Sequence, residues 1–269
     1  MDLEALNTEL AETRFAGKLW HFPRIGSTNV HAAEAAAAGA PDGQVYIADE
    51  QTAGRGRGGH SWHSAPGDGL YLSALIRPHL PLADALWLSL AAGLAVQRAI
   101  LAATKLAADI RWPNDLLLNH RKVGGILVET AATPAATLRY AVIGMGINVN
   151  HRGFPPELAS LATSLYGETG RDCPRELLLQ HLLLALDDEI FALELESRGE
   201  LPGPGLLDRF TVASSWVRGK HVQVDEHGGY TGHTAGLDSR GVLRVAGDDG
   251  RLHTVLSGGV RPYEPGPLR

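Results

Sequence analysis

The stretch Glu50-Gln51-Thr52-Ala53-Gly54-Arg55-Gly56-Arg57-Gly58-Gly59-His60-Ser61-Trp62 carries no acid after its first residue. Its glycines let the backbone take left-handed conformations and bring N–H groups close to a ligand. Arg55 and Arg57 add two permanent charges whose planar donor forks suit phosphate or carboxylate. The chemistry implied is capture of an anion. Gly54, Gly56 and Gly59 also satisfy the Gly-x-Gly-x-x-Gly spacing of a dinucleotide site, which needs a strand before it and a helix straight after. Val45 to Ala48 supplies the strand, but the run from Gly58 to Gly67 cannot open a long helix. The dinucleotide reading therefore falls away.

Three further clusters have side chains fit for ligand chemistry. Arg111-Trp112-Pro113-Asn114-Asp115 closes a short strand begun at Asp109, and Arg121-Lys122-Val123-Gly124-Gly125 opens an apolar strand that reaches Glu129. Asn114 and Asp115 read either as an Asx turn or as ligand contacts, and Lys122 either as a solvated hairpin lysine or as a charge held near a ligand. The two glycines beside Lys122 favour the second reading, because they admit a ligand close to the backbone. Gly144-Met145-Gly146-Ile147-Asn148 is expected to kink its strand, its glycines marking a bulge or a close approach. Asn148 would need partners for a buried amide, and a base edge is one candidate. Ser27, Thr28 and Asn29 precede the alanine-rich run His31 to Ala38, and serve either as a helix N-cap or as donors to a ligand at that helix end.

The elements that position these groups follow from periodicity. Leu3, Leu6 and Leu10 predict a short leading helix, Lys18 to Phe22 a first strand, and the alanine-rich run a helix ending at Gly39. Pro41-Asp42-Gly43 turns the chain into the buried strand that delivers the glycine-arginine loop. Leu70 to Ile76 is a second apolar strand, Asp84 to Ala103 a long helix apolar on more than one side, and Leu138 to Ile143 a continuation of the sheet. Leu178, Leu182 and Leu186 line one face of a helix from about Pro174 to Leu195. After the connector Glu200 to Gly205 and a short helix at Leu206 to Phe210, the segments from Val217 onward alternate and are cut by glycine turns, which predicts a small β-barrel. The fold class is thus α+β, a mixed sheet flanked by helices with a small barrel appended. Residues 1–213 are expected to form the main domain, which carries the ligand motifs, and 214–269 a second, small domain.

Composition bounds what such a site serves. The chain has 269 residues, 44% hydrophobic and 20% charged, with a net charge of −6. This balance argues against a general nucleic-acid or membrane-surface role and makes the positive charge at Arg55 and Arg57 local. Cys173 is the only cysteine, which excludes an internal disulfide and a Cys-x-x-Cys site, and no metal-ligand set is read from the sequence. The acidic start Met1-Asp2-Leu3-Glu4 is no secretory signal, and the longest apolar stretch, Leu86 to Val96, is too short to span a bilayer. A cytoplasmic protein is expected.

Taken together, Ser27-Thr28-Asn29, Gln51 to Arg57, Trp112-Pro113-Asn114-Asp115, Lys122 to Leu127 and Gly144 to Asn148 resemble the ordered motifs of biotin–protein ligases. The terminal segment through Ser257-Gly258-Gly259-Val260 is similar to that family's SH3-like domain. The resemblance covers nearly the whole chain from Leu19, and five motifs in order are far more specific than any one.

The resemblance implies a class II synthetase-like catalytic domain and a two-step reaction. Biotin and ATP give biotinyl-5′-AMP and pyrophosphate, and a specific lysine of a biotin carboxyl carrier protein domain of a biotin-dependent carboxylase then takes the biotinyl group. Two anions meet in the first step, so arginines, backbone N–H groups and Mg2+ travelling with the nucleotide are expected to offset their repulsion. By the same likeness Ser27, Thr28, Asn29, Gln51, Arg55, Gly56, Arg57, Lys122 and Gly125 contact biotin. Arg55, Arg57, Trp62, Asn114, Lys122 and Asn148 bind the nucleotide, with adenine stacked on Trp62, whose bland reading is a hydrophobic latch. Arg57 and Lys122 carry the chemistry, and Asp115 is a candidate base or orienting group for the acceptor lysine.

The chain departs from the common loop at His60, where a basic residue is usual, and at Gly58, where the usual residue is bulkier. Both changes predict a loop that is mobile when empty and orders on the intermediate. The short N-terminal segment holds no helix-turn-helix, so no operator binding is expected, and the protein is expected to be a monomer or homodimer with no nucleic-acid or membrane partner. A lipoate or octanoate ligase or transferase and a non-catalytic biotin sensor are the alternatives. Cys173 lies outside every motif, against a cysteine-based transferase, and the intact Lys122, Arg55 and Arg57 favour catalysis over sensing.

Overall fold

The computed structural model describes residues 1–256 and 259–264. Ser257 and Gly258, part of the barrel segment singled out above, lie outside the described residues. The first part of the chain forms α1 (Leu3–Glu9), β1 (Leu19–Phe22), α2 (Thr28–Ala37), β2 (Gln44–Ala48), β3 (Gly69–Ile76) and α3 (Ala85–Thr104). It continues through β4 (Asp109–Arg111), β5 (Asp115–Leu118), β6 (Arg121–Ala132), β7 (Leu138–Asn148), α4 (Leu165–Thr169), α5 (Arg175–Ser197) and α6 (Leu206–Ala213). The remaining strands are β8 (Arg218–Val224), β9 (Tyr230–Leu237), β10 (Leu243–Gly247), β11 (Leu252–Val255) and β12 (Val260–Pro262).

Seven strands make one mixed sheet in the order β1-β2-β3-β7-β6-β5-β4, in which β1 and β2 run parallel and the other pairs antiparallel. Strand alternation gives the sheet two unlike faces. One face presents Val45, Ile47, Leu70, Leu72, Ala74, Ile143, Met145 and Ile147 to the main core, where α3 and α5 cover it. The opposite face meets the alanines of α2, Ala32 and Ala36, through Tyr46, Leu75 and Val142. Leu82–Thr104 is long and apolar enough to cross a bilayer by composition, but most of it is buried within the fold, and α3 packs against α5 and the sheet as a core helix.

Beyond α2 the middle of the second face is built from small residues, with Tyr71, Leu127 and Asn148 around them. The register places Ser73 beside Gly144, Gly144 beside Leu127, and Gly146 between Tyr71 and Gly125. The expected kink at Gly144 does not occur: β7 runs unbroken from Leu138 to Asn148 and pairs in register on both sides of its glycines. The glycines mark a close approach instead. A Cβ on Gly144 would overlap the Asn29 carboxamide, and one on Gly146 would lie 2.5 Å from the Trp62 indole. The turn at Asn114-Asp115 leads straight into β5, an element that the short apolar run Leu116-Leu117-Leu118 did not announce by itself.

The C-terminal strands pair antiparallel in the order β11-β10-β9-β8-β12. Among the described residues β11 and β12 are not hydrogen-bonded to each other, so the expected barrel is here an open, five-stranded sheet. Its inner residues Val222, Val224, Val245 and Val255 join the main core, and Trp112 Nε1 donates to the Gly241 carbonyl at 2.9 Å.

Candidate functional site

The glycine-lined part of the second sheet face is the floor of a cleft of about 430 Å³, counted to its open mouth. Ser27, Thr28 and Asn29 wall it from the start of α2, Gln51, Arg55, Gly56, Arg57 and Trp62 from the glycine-arginine loop, and Asn114, Lys122, Gly125 and Leu127 from the far strands. All the expected biotin contacts therefore share one cavity. Of the expected nucleotide contacts, Asn148 is not on its wall, and the candidate base or orienting group Asp115 is not on it either.

A polar chain crosses the α2 end of the cleft. Ser73 Oγ lies 2.8 Å from Thr28 Oγ1 and 2.6 Å from Asn29 Oδ1. The Thr28 backbone N–H and hydroxyl donate to Gln51 Oε1 at 2.9 and 3.1 Å, and Gln51 Nε2 donates to Ser64 Oγ at 3.1 Å. Ser27 occupies the N-cap position, yet its side chain makes no capping hydrogen bond. The helix start is thus capped from outside by Gln51, which leaves the serine hydroxyl on the cleft wall.

The loop itself is a narrow hairpin. Gly56 N–H donates to His60 O at 2.7 Å and Trp62 N–H to Gly54 O at 2.9 Å. Gly58 and Gly59 take φ of 66° and 81°, the left-handed region in which the chain can reverse within so few residues. Trp62 folds back onto the glycine floor and lies 3.0 Å from where a Gly125 Cβ would sit. Its Nε1 is buried without a hydrogen-bond partner among the described residues. This is the latch arrangement, and it leaves a buried donor unpaired at a cost of about 1–3 kcal/mol.

Three cations face the cleft, and their pairing differs. Arg55 meets Glu129 at 3.1 Å, and the other oxygen of Glu129 accepts from Asn29 Nδ2 at 2.9 Å. Lys122 Nζ meets Asp115 Oδ1 at 2.5 Å and stands 5.4 Å from the Trp62 ring centre. Arg57 has no carboxylate within 4 Å among the described residues. Burial pulls its guanidinium below the ordinary arginine value, opposed by the more distant charges of Asp115 and Glu226. A positive charge held half-desolvated and unpaired attracts an incoming anion.

Asp115 is held between two cations, Lys122 on one oxygen and Arg111 at 2.5 Å on the other. Burial pushes its carboxyl up, but Lys122 and Arg111 outweigh burial and hold it below the usual carboxylate range. A carboxylate so stabilised is a poor proton acceptor, so of the two roles expected for Asp115 the geometry favours orienting Lys122. The two asparagines are also committed. Asn114 Nδ2 donates to Ile126 O at 2.9 Å and Asn148 Nδ2 to Thr163 O at 3.0 Å. These amides join backbone segments, as buried amides must find partners. Glu129 and Ser73, which complete the site, were not singled out from sequence: Ser73 is the one polar residue in the apolar strand β3, and Glu129 only closes the apolar run Ile126-Leu127-Val128.

Comparison with known proteins agrees with this geometry. The model of the biotin/lipoate A/B protein ligase family matches residues 21–148. A bifunctional ligase/repressor from Bacillus spizizenii is 37% identical over 229 residues, 84% of this chain and 68% of its own length. A biotin–[acetyl-CoA-carboxylase] ligase from Mycobacterium tuberculosis is 35% identical over 87% of this chain and 82% of its own. The structure of a biotin protein ligase from Aquifex aeolicus in complex with biotin and ATP superposes with a TM-score of 0.74 at 27% identity, covering 91% of this chain and 98% of that one.

Proposed function

We propose a division of labour within the cleft, on the premise that this chain belongs to the biotin protein ligase family. The enzyme uses ATP to activate biotin as biotinyl-5′-AMP and transfers the biotinyl group to a carboxylase carrier protein. In the first step a biotin carboxylate oxygen bonds to the α-phosphorus and pyrophosphate leaves. In the second the acceptor amine attacks the anhydride carbonyl, AMP leaves and the nitrogen loses a proton.

The observation that carries the assignment of roles is the unequal pairing of the three cations. Arg57, without a carboxylate partner, receives the carboxylate and α-phosphate as they converge. Lys122, held in place by Asp115, supplies the second charge to the α-phosphate, and Arg55 is anchored to Glu129 as part of the wall. The floor of Gly125, Gly144 and Gly146 admits the flat biotin bicycle, with Ser27, Thr28, Asn29 and Gln51 offering polar contacts at its edge. Trp62 leaves the floor to stack on adenine, a contact worth about 1–3 kcal/mol in nucleic-acid systems. Asn114 and Asn148 support the nucleoside end from behind, through the strands that their amides join.

Magnesium fits this cleft as a companion of the ATP phosphates rather than as a protein-held ion. Among the described residues no carboxylate lines the cleft, and the two just behind its wall are already paired, Asp115 with Lys122 and Arg111 and Glu129 with Arg55 and Asn29. When bound, the ion offsets phosphate charge. The acceptor is read as one specific lysine of a biotin carboxyl carrier domain. Residues 1–213 are assigned the chemistry and 214–269 a separate small domain, in the cytoplasm, where Cys173 stays a thiol.

Biotin-dependent exchange of labelled pyrophosphate into ATP tests the first step without any acceptor. Exchange with biotin, lost in Arg57→Ala, is the expected result. Exchange with lipoate or octanoate instead would overturn the substrate, and biotin binding without exchange would overturn catalysis.

A further inference from the structure

A second cluster of chemistry-bearing side chains lies far along the chain from the cleft motifs, on the exposed face of the C-terminal sheet. His221 on β8 and His233 on β9 are direct cross-strand partners. Strand alternation turns Val222 and Val224 inward and both imidazoles outward. The two rings lie face to face, 4.3 Å between centres and 3° from parallel. Asp248, just past β10, brings its Oδ2 to 3.3 Å from His221 Nε2. One donor atom from each of these three residues lies within 4.8 Å of the others.

We propose that His221, His233 and Asp248 form a binding site for a divalent first-row transition cation, with Zn2+ as its physiological occupant. Two imidazole nitrogens and one carboxylate oxygen are the borderline donor set that suits Zn2+, and that Ni2+ and Cu2+ also accept. Nitrogens bound to a common zinc ion at about 2.0–2.1 Å lie at most about 4 Å apart, so the donor atoms already stand near chelating distance, and the rings must turn out of their parallel stack to aim both in-plane lone pairs at one ion. His233 is exposed and can make that rotation at little cost. The site also has an outer layer. Thr231 Oγ1 donates to Asp248 Oδ2 at 2.6 Å, and the Asp248 N–H donates to Thr231 O at 2.9 Å, so the carboxylate is held toward the rings before any ion arrives. Tyr263 packs against His221 from another side, 4.3 Å between ring centres.

The ligands come from β8, β9 and the turn after β10, so the ion would tie together three segments of a small sheet whose edge strands are open. Three protein ligands leave at least one position to water, which fits a surface clip. His253 is nearby but engaged otherwise, 3.1 Å from Asp249 Oδ1 and stacked on Tyr230, and serves as a control.

The test uses the full chain, stripped with chelator and titrated with Zn2+ against a chromogenic competitor at pH 7.5. One equivalent is expected to bind and to raise the melting temperature. Binding is expected to disappear in His221→Ala and in His233→Ala, to weaken by about tenfold or more in Thr231→Val, and to persist in His253→Ala. Biotin-dependent pyrophosphate exchange serves as the fold control and should be unchanged in every variant. Failure of the wild-type chain to bind Zn2+ at micromolar concentrations would overturn the proposal. So would an equivalent retained in a His221→Ala/His233→Ala double variant that keeps full exchange.

Discussion

The two faces of the seven-stranded sheet are built from the same strands and do opposite work. Toward α3 and α5 the inward positions are filled mainly by Leu, Ile, Val, Ala and Met, and that face carries the stability. On the other face the same strands offer Ser73, Gly125, Gly144 and Gly146, and the space left by absent side chains holds the ligand cleft. Alternation with period two is what lets one strand serve both. The lesson is that a residue's neighbour in sequence says little about its task, while the residue two positions away shares it.

The comparison breaks if a core-face change alters chemistry. Leu182→Ala on α5, fully buried, should cost about 2–5 kcal/mol in denaturant unfolding. Pyrophosphate exchange per folded molecule should stay at the wild-type rate. Arg57→Ala is the converse: exchange should fall by about 10²–10³, the scale seen when one preorganised charge-stabilising donor is removed, and the unfolding midpoint should barely move. Gly144→Val tests whether the missing Cβ is the site. It would displace Asn29 and should cost about 1–3 kcal/mol in biotin affinity by calorimetry. Wild-type affinity in that variant would mean that Asn29 does not line the biotin subsite.

Trp62→Ala sharpens the same contrast with a split readout. It should raise the KM for ATP by a factor matching about 1–3 kcal/mol of stacking while leaving biotin binding near wild type. The smallest effect concerns pH. Asp115 has a folded-state pKa below its unfolded value of about 3.9. Its contribution to stability is therefore complete above that unfolded value and is lost as pH falls through the lower folded value. Asp115→Asn should flatten the acid limb of the stability profile below about pH 4, and should slow adenylation by letting Lys122 drift. Transfer from preformed biotinyl-5′-AMP should keep its pH profile; loss of an acid limb there would restore Asp115 as a base.

Much of the cleft was legible before any coordinates. Arg55, Arg57, Lys122 and Trp62 declare their chemistry by type, and the glycines around them declare that something comes close. The long helices were equally plain, because Leu178, Leu182 and Leu186 repeat on one face at helical spacing. Legibility failed at β5, too short to show a period, and at Gly144 and Gly146, where close approach and kink look alike in one dimension. The paired state of the charges was also hidden. Nothing local says that Arg55 is anchored to Glu129 while Arg57 has no carboxylate partner within reach.

What the sequence determined alone was the supply of groups: an anion-binding loop, a lysine between glycines, apolar strands of the right period and helices to cover them. Side-chain chemistry and backbone propensity are local properties, so they can be read locally. Tertiary structure decided which groups meet. Asn29 reaches Glu129 across 100 residues, Ser73 reaches Asn29 across 44, and His221 faces His233 because β8 and β9 pair in one register. A slip of one residue would turn every one of those side chains to the other face, and only the packing of the whole sheet against its helices sets the register.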